Sequence, residues 1–131
     1  MEQNEKTKAL LAAFGCALAY LLAGKALAVI LPQVPEEAAR MWAFVHRCAA
    51  APIVEELVFR GTIQQLARPL GERQAVALQA VLFAVQHRGP AGMAYALVCG
   101  LVLGTLRSRT GSVWPGMLLH TLNNLLVFAA G

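Results

Sequence analysis

Residues 54–60 read V-E-E-L-V-F-R, so Glu55, Glu56 and Arg60 fall inside one of the most apolar stretches of the chain. A charged side chain at the centre of a membrane helix costs about 2.5–3.5 kcal/mol on translocon scales. Glu56 and Arg60 stand four apart, in the favourable acid-before-base order, on one helix face, and can neutralise each other. Glu55 is rotated roughly 100° from Glu56 and points at a different neighbour. A buried ion pair that fixes packing accounts for Glu56 and Arg60 and leaves Glu55 unexplained.

Two histidines and an asparagine share this oddity. His87 follows F-A-V-Q, and His120 opens H-T-L-N-N, with Asn124 four residues on and on the same face. One histidine in a helix is usually a packing residue. Here Glu55, His87, His120 and Asn124 come from three short apolar helices and can converge, and ionisable groups within a membrane are functional candidates by default. His46, beside Arg47 near a segment end, reads as a boundary residue.

Elimination narrows the chemistry. The chain has no aspartate, which excludes a paired-aspartate protease, and no H-E-x-x-H zinc helix. Its serines, Ser108 and Ser112, lie in a loop without a nucleophile-elbow setting. Any hydrolase built from these residues has to work with glutamate and histidine.

The elements that must position these residues follow from composition. The 131 residues bound the chain to one domain, and 58% are hydrophobic against 14% charged. With a mean hydropathy of +0.58, so small a soluble domain could not hide its apolar surface, and the expected class is an integral membrane protein. The net charge of +4 has no basic run or basic–aromatic face, so nucleic acid is excluded as a partner. Cys16, Cys48 and Cys99 fall in separate apolar segments with no C-x-x-C pair and read as small buried hydrophobes.

Five apolar segments are expected. The first runs from about Ala9 to Leu31, too long for a cleaved signal's apolar region, so a retained span is expected. A polar break, P-Q-V-P-E-E-A-A-R, leads to a second segment from about Trp42 to Leu66. After the loop A-R-P-L-G-E-R, a third segment covers about Gln74 to His87. It is shorter than the roughly 30 Å hydrocarbon core and ends in the turn H-R-G-P. The fourth covers about Ala91 to Leu106 and carries Gly100 and Gly104 at G-x-x-x-G spacing. Ser112 and Pro115 start a fifth helix ending near Ala130. Lys6, Lys8, Arg68, Arg73, Arg107 and Arg109 fall on one side of such a bundle, and Arg40, Arg47 and Arg88 on the other. The positive-inside rule then places the N-terminus in the cytoplasm of a multi-pass cell-membrane protein.

Three motifs, E-E-x-x-x-R (Glu55, Glu56, Arg60), F-x-x-x-H (Phe83, His87) and H-x-x-x-N (His120, Asn124), occur in order on successive segments. With them the chain resembles the CAAX-protease and bacteriocin-processing family of intramembrane glutamic endopeptidases, over roughly residues 42 to 128. The resemblance implies an all-α, polytopic membrane helix bundle of about five transmembrane helices, four of them forming the catalytic core. Residues 1–41 are then the first span and its loop, and residues 42–131 the intramembrane protease core. It implies further that Glu55 activates water, assisted by His87, that His120 and Asn124 stabilise the oxyanion, and that Glu56 and Arg60 hold the geometry. The substrate would be a membrane-associated peptide or protein in the lipid bilayer.

Many members are described as metalloproteases, and one glutamate with two histidines could bind zinc. The carboxylates that usually orient zinc histidines are missing here apart from Glu56, so no cofactor is expected. Small prokaryotic relatives, myxosortase-like ones among them, process peptides, confer bacteriocin immunity or trim C-terminal sorting tails. The alternative is a non-catalytic immunity or peptide-binding membrane protein on the same core. A proton-coupled transporter fits poorly, because five short spans lack repeated halves.

Overall fold

A computed structural model describes residues 2–30 and 35–131 of the chain. The described residues form helices and turns and contain no strand, which bears out the all-α expectation. Helix α1 is Glu2–Ile30. Helix α2 is a composite rod over residues 36–66. A short 3₁₀ turn, Arg68–Leu70, leads to α3 (Glu72–Ala84), α4 (Gly89–Thr110) and α5 (Trp114–Ala130). Two of these helices, Glu2–Ile30 and Gly89–Thr110, are long and apolar enough to cross a membrane. The expected end of the first segment at Leu31, and Pro32, Gln33 and Val34 of the polar break, lie outside the described residues.

The helix ends differ from the sequence expectation for identifiable reasons. The P-E-E-A-A-R stretch, read as part of a break, opens α2. Pro35 is extended at the N-cap, its carbonyl accepts from the Ala38 N–H at 2.9 Å, and Glu36 and Glu37 occupy the first turn. Acids there face the positive end of the helix dipole. At the other extreme α4 runs past Leu106 to Thr110. Arg107 and Arg109 in its last turn complement the negative end, and Gly111 (φ +70°) caps it by donating to the Arg107 carbonyl at 3.0 Å. Helix α3 has 13 residues and ends at Ala84, which leaves His87 in the turn beyond it. Thirteen residues reach only about 20 Å.

The middle of α2 is not regular α-helix. His46–Ala50 and Glu56–Ile63 are wound as π-helix. The first π segment has a visible cause. Pro52 lacks an N–H, and in α-helix its ring would press on the carbonyl four residues back. Wider winding relieves this, and the Ala51 N–H bonds the His46 carbonyl, five residues back. In that register the partner due to the Arg47 carbonyl is residue 52, the proline, so that carbonyl is left open.

Small residues set the close contacts. On α1, Ala9, Ala13 and Ala17 are buried at four-residue spacing, and α1 packs on the second π segment of α2. Gly100 and Gly104 line the α3–α4 seam, as G-x-x-x-G permits. A Cβ on Gly100 would come within 2.9 Å of the Ala80 Cα, and one on Gly104 would collide with Gln79. Gln79 donates to the Gly100 carbonyl at 2.7 Å, and Gln64 of α2 donates to the Gly104 carbonyl and to Ser108, both at 3.0 Å. Phe59, Ile63, Leu82, Phe83 and Ala96 form the interior against Ala13 and Ala17. Outward surfaces carry large apolar side chains, among them Leu11, Leu18 and Val29 on α1, Val98 on α4 and Leu126 on α5. Of the cysteines, Cys48 is buried, Cys16 and Cys99 are half-buried, and all three are free.

Candidate active site

Glu55 ends the α-wound stretch between the two π segments of α2, and Glu56 begins the second π segment. The Glu56 and Arg60 side chains are fully enclosed, with Nη1 3.1 Å from Oε1. Burial of both charges is tolerable only because they face one another. The guanidinium also stacks on Phe83 of α3, its Cζ 4.4 Å from the ring centroid, a cation–π contact in a desolvated place. Across α2 the Glu56 carboxylate abuts the first turn of α5. A Cβ on Gly116 would stand 2.7 Å from Oε2, so only glycine leaves room there.

His120 of α5 sits between the two glutamates. Its Nδ1 lies 3.0 Å from Glu56 Oε1 and its Nε2 lies 3.6 Å from Glu55 Oε2. A carboxylate accepts, so the His120 Nδ1–H donates to Glu56, and Nε2, without a proton in the neutral ring, is turned towards Glu55. The expectation paired Glu56 with Arg60 alone; Glu56 in fact serves both Arg60 and His120. Helix spacing reveals the first partner and is silent about the second, which lies 64 residues away.

His87 reaches the same place from the turn after α3. Its Nδ1 donates to the Phe83 carbonyl at 3.0 Å, which leaves Nε2 unprotonated in the neutral ring. Phe83 orders both imidazoles: His87 lies edge-on to it at 4.7 Å and His120 at 5.9 Å between centroids. Glu55, His87, His120 and Asn124 line one cavity of about 750 Å³, open to the outside, with His46, Arg47 and Arg40 also on its wall. His46 is exposed there, in keeping with a boundary residue.

Asn124 is placed differently from Glu55 and His120. Its Nδ2 donates to the Arg47 carbonyl at 2.8 Å, the group that Pro52 cannot bond. Its Oδ1 accepts from Asn123 Nδ2 at 3.2 Å, and the Cys48 thiol points at its backbone carbonyl at 3.7 Å. Asn124 therefore clips α5 to the first π segment, and one N–H of its amide is left for the cavity. Two lining residues, Tyr95 and Asn123, and Gly116 beside Glu56 escaped the sequence reading. Tyr95 donates to Asn123 Oδ1, and both lie on the cavity wall. The N-N doublet in an apolar helix was a usable signal for Asn123. Nothing in W-P-G-M marked Gly116.

Among the described residues no three His, Cys, Asp or Glu side chains are grouped so as to hold a metal ion. Glu55, His87 and His120 share a cavity without forming a ligand set.

No curated protein and no solved structure matches the chain. A family model does match, that of the type II CAAX prenyl endopeptidase Rce1-like family, over residues 37–126. That stretch contains Glu55, Glu56, Arg60, His87, His120 and Asn124 and covers most of the chain. The chain belongs to this family of membrane-embedded CAAX endopeptidases, as the order of its three motifs had led us to expect.

Proposed function

We propose that the chain is an intramembrane endopeptidase that hydrolyses a peptide bond in a membrane-associated peptide or protein by glutamate-activated water. The observation that carries this reading is the placement of His120 between Glu55 and Glu56 on the wall of an open cavity that also holds His87. Glu55 takes a proton from a water positioned with the help of His87 Nε2, and the hydroxide so formed attacks the scissile carbonyl carbon. Glu55 hands its proton on to His120 Nε2, 3.6 Å away, and the Nε2–H so formed meets the resulting oxyanion together with the remaining N–H of Asn124. Such donors in a water-poor site are each worth about 3–4 kcal/mol of barrier. The proton then passes to the amide nitrogen, the C–N bond breaks, and an acid and an amine leave.

Glu56 acts through His120, accepting from Nδ1–H so that Nε2 faces the cavity, while Arg60 holds Glu56 in place. The reading is metal-free, with Glu55 and the two histidines working as an acid–base set. Full activity after dialysis against a strong chelator is expected, and loss with rescue by zinc would reverse it. The five helices are read as a multi-pass bundle in the cell membrane, residues 1–41 preceding a core of residues 42–131, with the N-terminus cytoplasmic.

The deciding experiment is cleavage by purified protein in proteoliposomes, offered a panel of tailed membrane peptides that includes prenylated CAAX and unprenylated sorting tails. Product is expected from the wild type and none from Glu55→Ala, with both proteins equally inserted and folded. Peptide binding without cleavage by the wild type would favour the immunity or peptide-binding alternative. Retained cleavage by Glu55→Ala would remove the assignment.

A further inference from the structure

A second cavity, of about 400 Å³, lies on the α1 side of the same carboxylate, and Glu55, Phe83 and His87 belong to the walls of both. The reacting groups thus stand at a partition with space on either side, the arrangement needed by a chain that continues in both directions from the bond being cut. The far wall of the second cavity comes from α1, through Tyr20, Leu21, Gly24, Lys25 and Ala28. Helix α1 ends before the residues that match the family begin at 37. Two contacts hold this wall in register: Tyr20 lies edge-on to Phe59 at 5.5 Å, and Gln86 of the turn after α3 donates to the Ala17 carbonyl at 3.5 Å.

The chemistry of this cavity is lopsided. Its lining is largely apolar or uncharged, with two cations, Lys25 and Arg88, and no acid apart from Glu55. Neither cation takes part in an ion pair among the described residues. We propose that the α1-side cavity is a substrate subsite, holding an apolar side chain next to the scissile bond and an anionic group of the peptide against Lys25 and Arg88. The anion is a carboxylate, either the chain end or an acidic side chain. The proposal rests on the endopeptidase reading and adds to it which helix selects the substrate. Gly24 gives it a clean probe, because a Cβ there meets nothing within 4 Å, so a larger side chain enters the cavity without disturbing the fold.

The test uses the full chain in proteoliposomes and a library of membrane-anchored quenched peptides. Each peptide is made with a free-acid and an amidated end, with and without a nearby glutamate. In Gly24→Leu, cleavage of peptides with a large apolar residue beside the scissile bond should fall about tenfold, while peptides with alanine there keep their rate. In Lys25→Gln/Arg88→Gln, the preference for the anionic peptide should fall by about tenfold, towards none. Loss of preference for free-acid ends identifies the chain terminus, and loss of preference for glutamate identifies a side chain. Melting temperatures like the wild type's exclude misfolding. Wild-type selectivity in both variants overturns the subsite while leaving the protease reading standing, as does a change only in membrane insertion. A wild type that cleaves nothing overturns both.

Discussion

The α3–α4 seam and the α2–α5 seam meet in the same small bundle and are built on opposite plans. Between α3 and α4 both backbones are regular, Gly100 lets α4 approach Ala80, and the buried glutamine Gln79 ends on a backbone carbonyl. Between α2 and α5 the backbone of α2 is π-wound, and the side chains that cross are Glu56, His120 and Asn124. A large cavity stays open beside them. Close packing by small residues makes the first seam a frame. The second gives up regular winding to aim charged groups, which is where π segments are commonly found. The difference teaches that the proposed chemistry sits where helix regularity has been relaxed, beside a seam that small residues keep close and regular.

Breaking the second seam at its charges should have the largest effect. Arg60→Ala leaves the Glu56 carboxylate buried and uncompensated, and a loss of about 3–5 kcal/mol is expected, read as unfolding on mild heating in detergent. Glu56→Gln sharpens the same comparison. It keeps the volume but no longer fixes the His120 tautomer, so kcat should drop by about a hundredfold or more with KM nearly unchanged. A purely structural Glu56 would lower the melting temperature and leave kcat of the folded fraction alone.

Breaking the first seam should affect stability without touching the mechanism. Gly100→Val drives side-chain atoms into Ala80 and should cost about 1–3 kcal/mol, while the protein that remains folded turns over at the wild-type rate. Next in size is the clip on the π segment. Asn124→Ala reopens the Arg47 carbonyl and should cost about 0.5–1.5 kcal/mol. In a Pro52→Ala background the restored N–H can take that carbonyl, so the same change should cost less, and a double-mutant cycle measures the difference. Additive effects would show that proline and asparagine are unrelated. At the far end of the scale, Lys8→Ala removes an exposed pair with Glu5 and should shift stability by no more than about 0.5 kcal/mol.

The sequence revealed the polar residues and concealed how they meet. Glu55, His87 and His120 were visible because ionisable groups are expensive in apolar stretches, and Glu56 with Arg60 because four-residue spacing on a helix implies contact. The Glu56–His120 bond was invisible for want of any rule joining residues on distant helices. The π winding was hidden too, although Pro52 in mid-helix was its cause in plain sight. The helix start at Glu36 was misjudged because proline followed by two acids marks both loops and helix N-termini. The role of Gly116 depends on a carboxylate that arrives from α2, and no local pattern announces that.

The central claim is that the Glu55 carboxylate is the base, and Glu55→Gln tests it most directly. The amide has the carboxylate's shape and can still hydrogen-bond His120, yet it cannot take a proton from water. In proteoliposomes the account predicts that Glu55→Gln captures a photo-crosslinking substrate peptide as well as the wild type does and releases no product. Cleavage by Glu55→Gln at a rate near the wild type's would contradict it.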